Sequence, residues 1–193
     1  MDEQLDLDLN NLHTILDTVK NEALNFLEGL PERPTSSSAA ADLQHKLNAD
    51  GKGTSETLNE FKKRFEPLIV GSPGPRYWGF VTGGSTPASI AGDWLATVFD
   101  QNTQSVKGYG DISANIEQET IQLILDLLNL PSHFTGGFVT GATMSNFTCL
   151  AVARQWLGKQ YGYDFARDGL NEKLNILSAT PHSSTIKSLS MLG

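Results

Sequence analysis

The chain has 193 residues, of which 39% are hydrophobic and 19% charged, with a formal net charge of −8 at pH 7. That is enough apolar material for one domain, or one domain with an arm, and the acidic balance argues against a nucleic-acid groove, which needs clustered Lys and Arg. The only basic run, Lys62, Lys63 and Arg64, falls on one helical turn and reads as a solvated face.

In chain order, the start MDEQLDLDLN is acidic, unlike the basic head of a signal peptide. No apolar run approaches the ~18 residues of a membrane span, so a cytoplasmic protein with no membrane partner is expected. Residues 11 to 28 form a predicted amphipathic helix. Leu12, Ile15, Leu16, Val19, Ala23, Phe26 and Leu27 recur at helical spacing, and Gly29 and Pro31 stop it. Its stripe is to be buried either on the body of the protein or on a second subunit, as a dimerisation arm. PTSSSAAADL (34–43) predicts a loop and a short helix capped by one of Ser36 to Ser38. NADGKGTS (48–55) is a flexible link, after which Ser55 caps a helix carrying Leu58, Phe61 and Phe65 on one face.

The segment 70–89 is rich in Gly and Pro yet carries Tyr77, Trp78, Phe80 and Val81. It is too apolar for a linker and is predicted to pack over a cavity. Thr86 and Pro87 give a helix start, N-cap then Pro at the first helical position, with Ile90, Ala91, Trp94, Leu95 and Val98 as the buried stripe. A polar loop (100–113) leads to a helix over 114–129. Its predicted inward residues are Ile116, Leu123, Ile124, Leu127 and Leu128, and Pro131 stops it. A strand near 137–140, a helix from about Met144 to Gln160, a loop around GYDFARDGLNE, a strand at 174–178 and a helix from Ser183 follow. This β-α-β-α order argues for an α/β fold. The single cysteine, Cys149, excludes a disulfide within the chain and zinc-type spacing, so no metal site is expected. Its apolar helical context predicts a small core residue.

Two places carry chemistry. In GGFVTGATMSNF (136–147), Gly141 allows a sharp strand-to-helix turn, and Ala142, Thr143, Met144 and Ser145 then offer backbone N–H groups to an anion, aided by the helix dipole. Thr143 and Ser145 add hydroxyl donors. No Gly-Lys-Ser/Thr follows, so this is not a Walker loop, nor is it a G-x-G-x-x-G dinucleotide turn. An ordinary capped helix has the same look. His182, in SATPHSSTIK, follows a predicted strand end, where ligands of open α/β sheets bind. It is placed either to stack on a flat ring or to hydrogen-bond a loop.

Four stretches in register, GPRYWGFVTGGSTPASIAGDWL (74–95), NIEQETIQLILDLL (115–128), GGFVTGATMSNFTCLAVAR (136–154) and ILSATPHSSTIKSLSMLG (176–193), together resemble the group II pyridoxal-phosphate-dependent decarboxylases. That family includes glutamate, cysteine sulfinate and aromatic amino acid decarboxylases. The resemblance implies pyridoxal 5'-phosphate as cofactor, an amino acid as substrate and a homodimer. It places Thr143 and Met144 at the phosphate, flanked by Ala142 and Ser145. His182 takes the position that stacks on the pyridine ring and assists proton transfer. Phe80 and Thr82 fall in the loop lining the substrate pocket, and Asn102 matches an asparagine that reaches the substrate, in contacts that can cross the dimer interface. Two departures matter. Gly74-Pro75-Arg76 stands where the family usually has His-Pro-Arg, and Phe80 stands where glutamate decarboxylases carry glutamine, which implies a more apolar pocket.

The resemblance also puts the family's Schiff-base lysine and pyridinium-binding aspartate beyond the His182 motif, and only eleven residues follow His182. Lys187 aligns with a helix position and reads as a surface lysine. The expectation is therefore an N-terminal fragment. Residues 1–70 would be a helical arm for dimerisation, and 71–193 the first part of a fold type I PLP-binding large domain with an incomplete sheet. Such a chain alone is expected to be poorly soluble or oligomeric and to bind the cofactor weakly. The alternatives are an inactive truncated interaction fragment and a PLP-dependent aminotransferase-like enzyme.

Overall fold

The computed structural model describes residues 3–38, 46, 49–102, 111–170 and 173–193. Among them are eight α-helices, one 3-10 turn and no strand. The chain divides into two units, Met1–Phe99 and Asp100–Gly193.

The first unit opens with α1 (Glu3–Asn10) and α2 (Leu12–Glu28). The periodicity predicts α2 to within a residue, and Ile15 is its buried residue. The stripe predicts nothing at α1, where Leu5, Leu7 and Leu9 alternate and remain exposed. What ties α1 down is Asp8. Its carboxylate accepts the Thr54 amide at 2.9 Å and the Thr54 hydroxyl at 2.7 Å. It thereby caps α3 (Gly53–Arg64), which starts two residues before Ser55. Ser55 is thus not the cap expected from the sequence. The acceptor comes instead from a separate helix. The short helix expected around 36–43 falls largely outside the described residues.

The Thr54 hydroxyl, then the Thr54 amide, hold the Asp8 carboxyl below its ordinary value of 3.8. A lowered folded pKa contributes stability that is present above the ordinary value and lost as pH falls through the lowered one. The Thr54 amide proton shift should therefore titrate in NMR spectra with a midpoint below 3.8. A midpoint at or above that value would contradict the cap.

Arg33 is the hub of this unit. Its guanidinium lies 4.4 Å from the centre of the Phe26 ring and pairs with the Glu66 carboxylate at 2.7 Å. It also donates to the carbonyls of Glu66 and Ile69 at 3.3 and 3.2 Å. Arg76 in turn donates to the Arg33 carbonyl at 2.8 Å. This gathers the end of α2, the 3-10 turn (Glu66–Leu68) and the start of the Gly-Pro segment. Gly74 is buried there, and a Cβ on it would come within 3.0 Å of the Gly71 carbonyl oxygen and 3.4 Å of that of Leu30. A side chain at position 74 would press on both carbonyls, which the glycine avoids.

α4 (Pro87–Phe99) starts as predicted. The Ser89 amide donates to Thr86 Oγ1 at 3.1 Å and the Thr86 amide to Ser89 Oγ at 2.9 Å, a reciprocal cap. Its stripe is not buried: Trp94, Leu95, Val98 and Phe99 are all exposed. Nor does the segment 70–89 cover a cavity. Trp78 and Phe80 are 93% and 95% exposed, and Phe80 and Val81 both have left-handed backbone, with φ of 55° and 53°. That is an unusual conformation for a β-branched residue.

The second unit holds α5 (Ser113–Leu127), α6 (Ala142–Gln160), α7 (Phe165–Asp168) and α8 (Ser183–Leu192). On α5 the buried residues are Ala114 and Leu125. The residues expected inward, Ile116, Leu123, Ile124, Leu127 and Leu128, are exposed. Periodicity identifies an apolar face but not what lies against it. The segments 137–140 and 174–178, expected as strands, carry no ladder, because a strand is defined by a partner and neither has one among the described residues. Phe138, Ile176 and Leu177 are accordingly exposed. Cys149 is also exposed, a correction to its expected place in the core. It sits on α6 beside the face that meets α8, not on it.

α6 and α8 pack against each other and run in the same direction. Asn146 bonds Ser184, and two turns on Arg154 bonds the Leu192 carbonyl. At the far end of α6 the buried Phe165 ring closes over Gly158. A Cβ there would come within 2.6 Å of the ring and 3.1 Å of the Tyr163 carbonyl. Gly158→Ala sets an overpacking cost of about 1–3 kcal/mol against a helix-propensity gain of about 1 kcal/mol. The expected net result is a thermal midpoint lowered by several degrees in calorimetry, and an unchanged or raised midpoint would contradict this packing.

Candidate functional site

The site forms where the N-termini of α6 and α8 come side by side. Gly141 makes the entry turn with φ 91° and ψ 172°, a region open essentially to glycine alone. Its amide bonds the Val139 carbonyl at 2.9 Å, and the Phe138 amide donates to the Glu117 carboxylate on α5 at 2.9 Å. The approach to the turn is thereby fixed. The Ser145 amide closes the first helical hydrogen bond onto the Gly141 carbonyl at 3.1 Å. The amides of Ala142, Thr143 and Met144 come before it, and α6 has no side-chain cap. These three donors therefore face outward with the positive end of the helix dipole behind them. No acidic residue lies in the first turn, and nothing stands within 4 Å of where a Gly141 Cβ would be. Among the described residues, three open donors, open space at the turn and a first turn free of acidic side chains fit a phosphate monoester.

His182 is the N-cap of α8. Its Nδ1 accepts the Ser184 amide at 3.1 Å and lies 2.7 Å from Ser184 Oγ. The ring is exposed to solvent. Two contacts join this end of α8 to the first turns of α6. Asn146 Nδ2 donates to Ser184 Oγ at 2.9 Å. Ser188, fully buried, lies 3.1 Å from the Thr143 carbonyl oxygen and 2.8 Å from that of Ser184. The Gly141 turn and His182, separate motifs in the sequence, are thus parts of one construction.

Of the remaining expected site residues, Asn102 belongs to the second unit, where it is exposed and its amide bonds the Asp111 carboxylate. The Ser113 hydroxyl, the larger influence, and the Asn102 amide both hold that carboxyl below its ordinary value. Phe80 and Thr82 belong to the first unit and are exposed there. Sequence reasoning passed over Asn146, Ser184, Ser188 and Glu117. Ser184 and Asn146 were within reach of it, each lying one helical turn or less from a residue already singled out.

No protein-family model matches the chain. It is 27% identical over 161 residues to an aromatic-L-amino-acid decarboxylase of Bacillus atrophaeus, a match covering 80% of this chain and 33% of that protein. Among solved structures it is similar to Oryza sativa TDC with PLP, at a TM-score of 0.77 and 16% identity, over 95% of this chain and 42% of that one. It is also similar to Oryza sativa TDC with PLP and tryptamine, at a TM-score of 0.72 and 15% identity over the same shares. The chain thus spans about a third of the length of the curated relative it matches. The chain is thus similar in sequence to an aromatic-L-amino-acid decarboxylase and in fold to Oryza sativa TDC.

Proposed function

We propose that this chain is the cofactor-anchoring part of a PLP-dependent amino acid decarboxylase. The observation that carries the reading is the Gly141 turn with its three open amides, joined to His182 through Asn146 and Ser184, in a chain whose relatives are decarboxylases. The amides of Ala142, Thr143 and Met144, with the hydroxyls of Thr143 and Ser145, hold the phosphate. His182 lays its ring against the pyridine and moves a proton at the reacting carbon. When bound, PLP supplies the electron sink that lets the α-carboxylate leave.

Phe80 and Thr82 contribute to substrate binding, as does Asn102, in a cytoplasmic homodimer. An aromatic amino acid suits the apolar Phe80, and the curated relative's name points the same way. In the assembled enzyme the segments 137–140 and 174–178 take their places in the sheet, and the exposed stripes of α4 and α5 are covered. The test is release of CO2 from carboxyl-labelled L-amino acids, aromatic ones first, by the whole protein with PLP. Aromatic substrates should release CO2. Formation of a keto acid with retention of the carboxylate would favour an aminotransferase instead.

A further inference from the structure

The chemistry of each atom around His182 fixes which ring nitrogen carries the proton. The Ser184 amide can only donate, and it faces Nδ1 at 3.1 Å. Asn146 Nδ2 can also only donate, and it occupies an acceptor site on Ser184 Oγ at 2.9 Å. The single hydroxyl proton of Ser184 is then directed at its other close partner, Nδ1, 2.7 Å away. Nδ1 thus meets two donors and holds no proton, and in the neutral ring the proton sits on Nε2. Ser184 is buried, so water does not compete freely for its hydroxyl.

We infer that Asn146 and Ser184 are positioning residues: the relay Asn146–Ser184–His182 holds His182 as the Nε2–H tautomer and ties its ring to the first turns of α6. This rests on the proposed role of His182 in decarboxylation, which it deepens. The helix that presents the phosphate donors would also set the ring above the cofactor and give it a proton to deliver at Nε2. Asn146 lies one turn beyond the cradle, so phosphate binding and ring orientation share a single support.

The test is long-range 1H–15N spectroscopy of the 15N-histidine-labelled protein at a pH where the ring is neutral, with the His182 signals assigned by their loss in His182→Gln. His182 should show an acceptor-type Nδ1 and a protonated Nε2. Ser184→Ala, which removes the hydroxyl donor to Nδ1 and keeps the backbone one, should move the shifts part of the way toward a tautomer mixture, and Ser184→Thr, which keeps the hydroxyl, should restore the wild-type pattern. Asn146→Asp, which replaces the donor by an acceptor, should shift Nδ1 in the same direction as Ser184→Ala. If Asn146→Asp does not fold, Ser184→Ala against Ser184→Thr decides. An unperturbed mixture in the wild type, or a Ser184→Ala spectrum identical to wild type, overturns the relay. Because no cofactor is needed, a failure of PLP binding with the Nε2–H tautomer intact would count against the proposed function and leave the relay standing.

Discussion

Gly141→Ala should either weaken PLP binding at least tenfold or lower the thermal midpoint of the protein. The backbone there has φ 91° and ψ 172°, and a side-chain-bearing residue in that region costs on the order of 1–3 kcal/mol. The cost is one of dihedral angle and not of crowding, since no atom lies within 4 Å of the added Cβ. The variant has two ways to respond. If it keeps the turn, stability falls by that amount. If it relaxes the turn, the amides of Ala142, Thr143 and Met144 rotate away from a common point. Hydrogen bonds to a charged group are worth about 1.5–3 kcal/mol each, and about 1.4 kcal/mol is tenfold in affinity, so losing one is enough. Equilibrium titration with PLP and a thermal scan of the same sample separate the two responses. An alanine variant with unchanged affinity and unchanged midpoint would show that the turn carries no anion.

Arg33→Ala should destabilise the first unit by about 2–3 kcal/mol, the range for charge-assisted hydrogen bonds lost together with packing. The side chain is 17% exposed, and it serves the Phe26 ring, the Glu66 carboxylate and two backbone carbonyls at once. Removing it takes the guanidinium donor from the Ile69 carbonyl, leaves the Glu66 carbonyl with the Ile69 amide at 3.1 Å, and opens the face of Phe26. Arg33→Lys should recover less than half of the loss, because an ammonium cannot reproduce the planar fork or the ring stacking. Chemical denaturation of the three proteins measures this directly. A loss under 1 kcal/mol for the alanine variant would mean that the cluster is incidental.

Much of the helical layout is legible in the sequence because it rests on local chemistry. The stripe of α2, the Thr86-Pro87 start of α4 and the Gly141 turn into α6 each depend on residues within a few positions. What the sequence hides depends on distant partners. The cap of α3 is Asp8, 46 residues from Thr54. Arg33 draws its partners from Phe26 to Arg76. α1 carries alternating leucines with no helical stripe, so no period announces it. The sequence shows that α4 and α5 each carry an apolar face but not that the face lies exposed, since a stripe does not name its cover. The segments near 137–140 and 174–178 have strand-like composition, but a ladder requires a neighbour that the described residues do not supply. At the site, Gly141 and His182 were legible as motifs. Their connection through Asn146, Ser184 and Ser188 was not, because it arises only when α6 and α8 pack in parallel.

On the proposed function, the α6 N-terminus holds the phosphate of PLP. The most direct measurement of this is a titration of the protein with PLP and, separately, with pyridoxal, each followed by protein fluorescence and repeated in the presence of inorganic phosphate. PLP should bind saturably and one-to-one, inorganic phosphate should compete with it, and pyridoxal should bind at least tenfold more weakly. Equal binding of pyridoxal and PLP, or PLP binding that inorganic phosphate does not displace, would contradict that role of the α6 N-terminus.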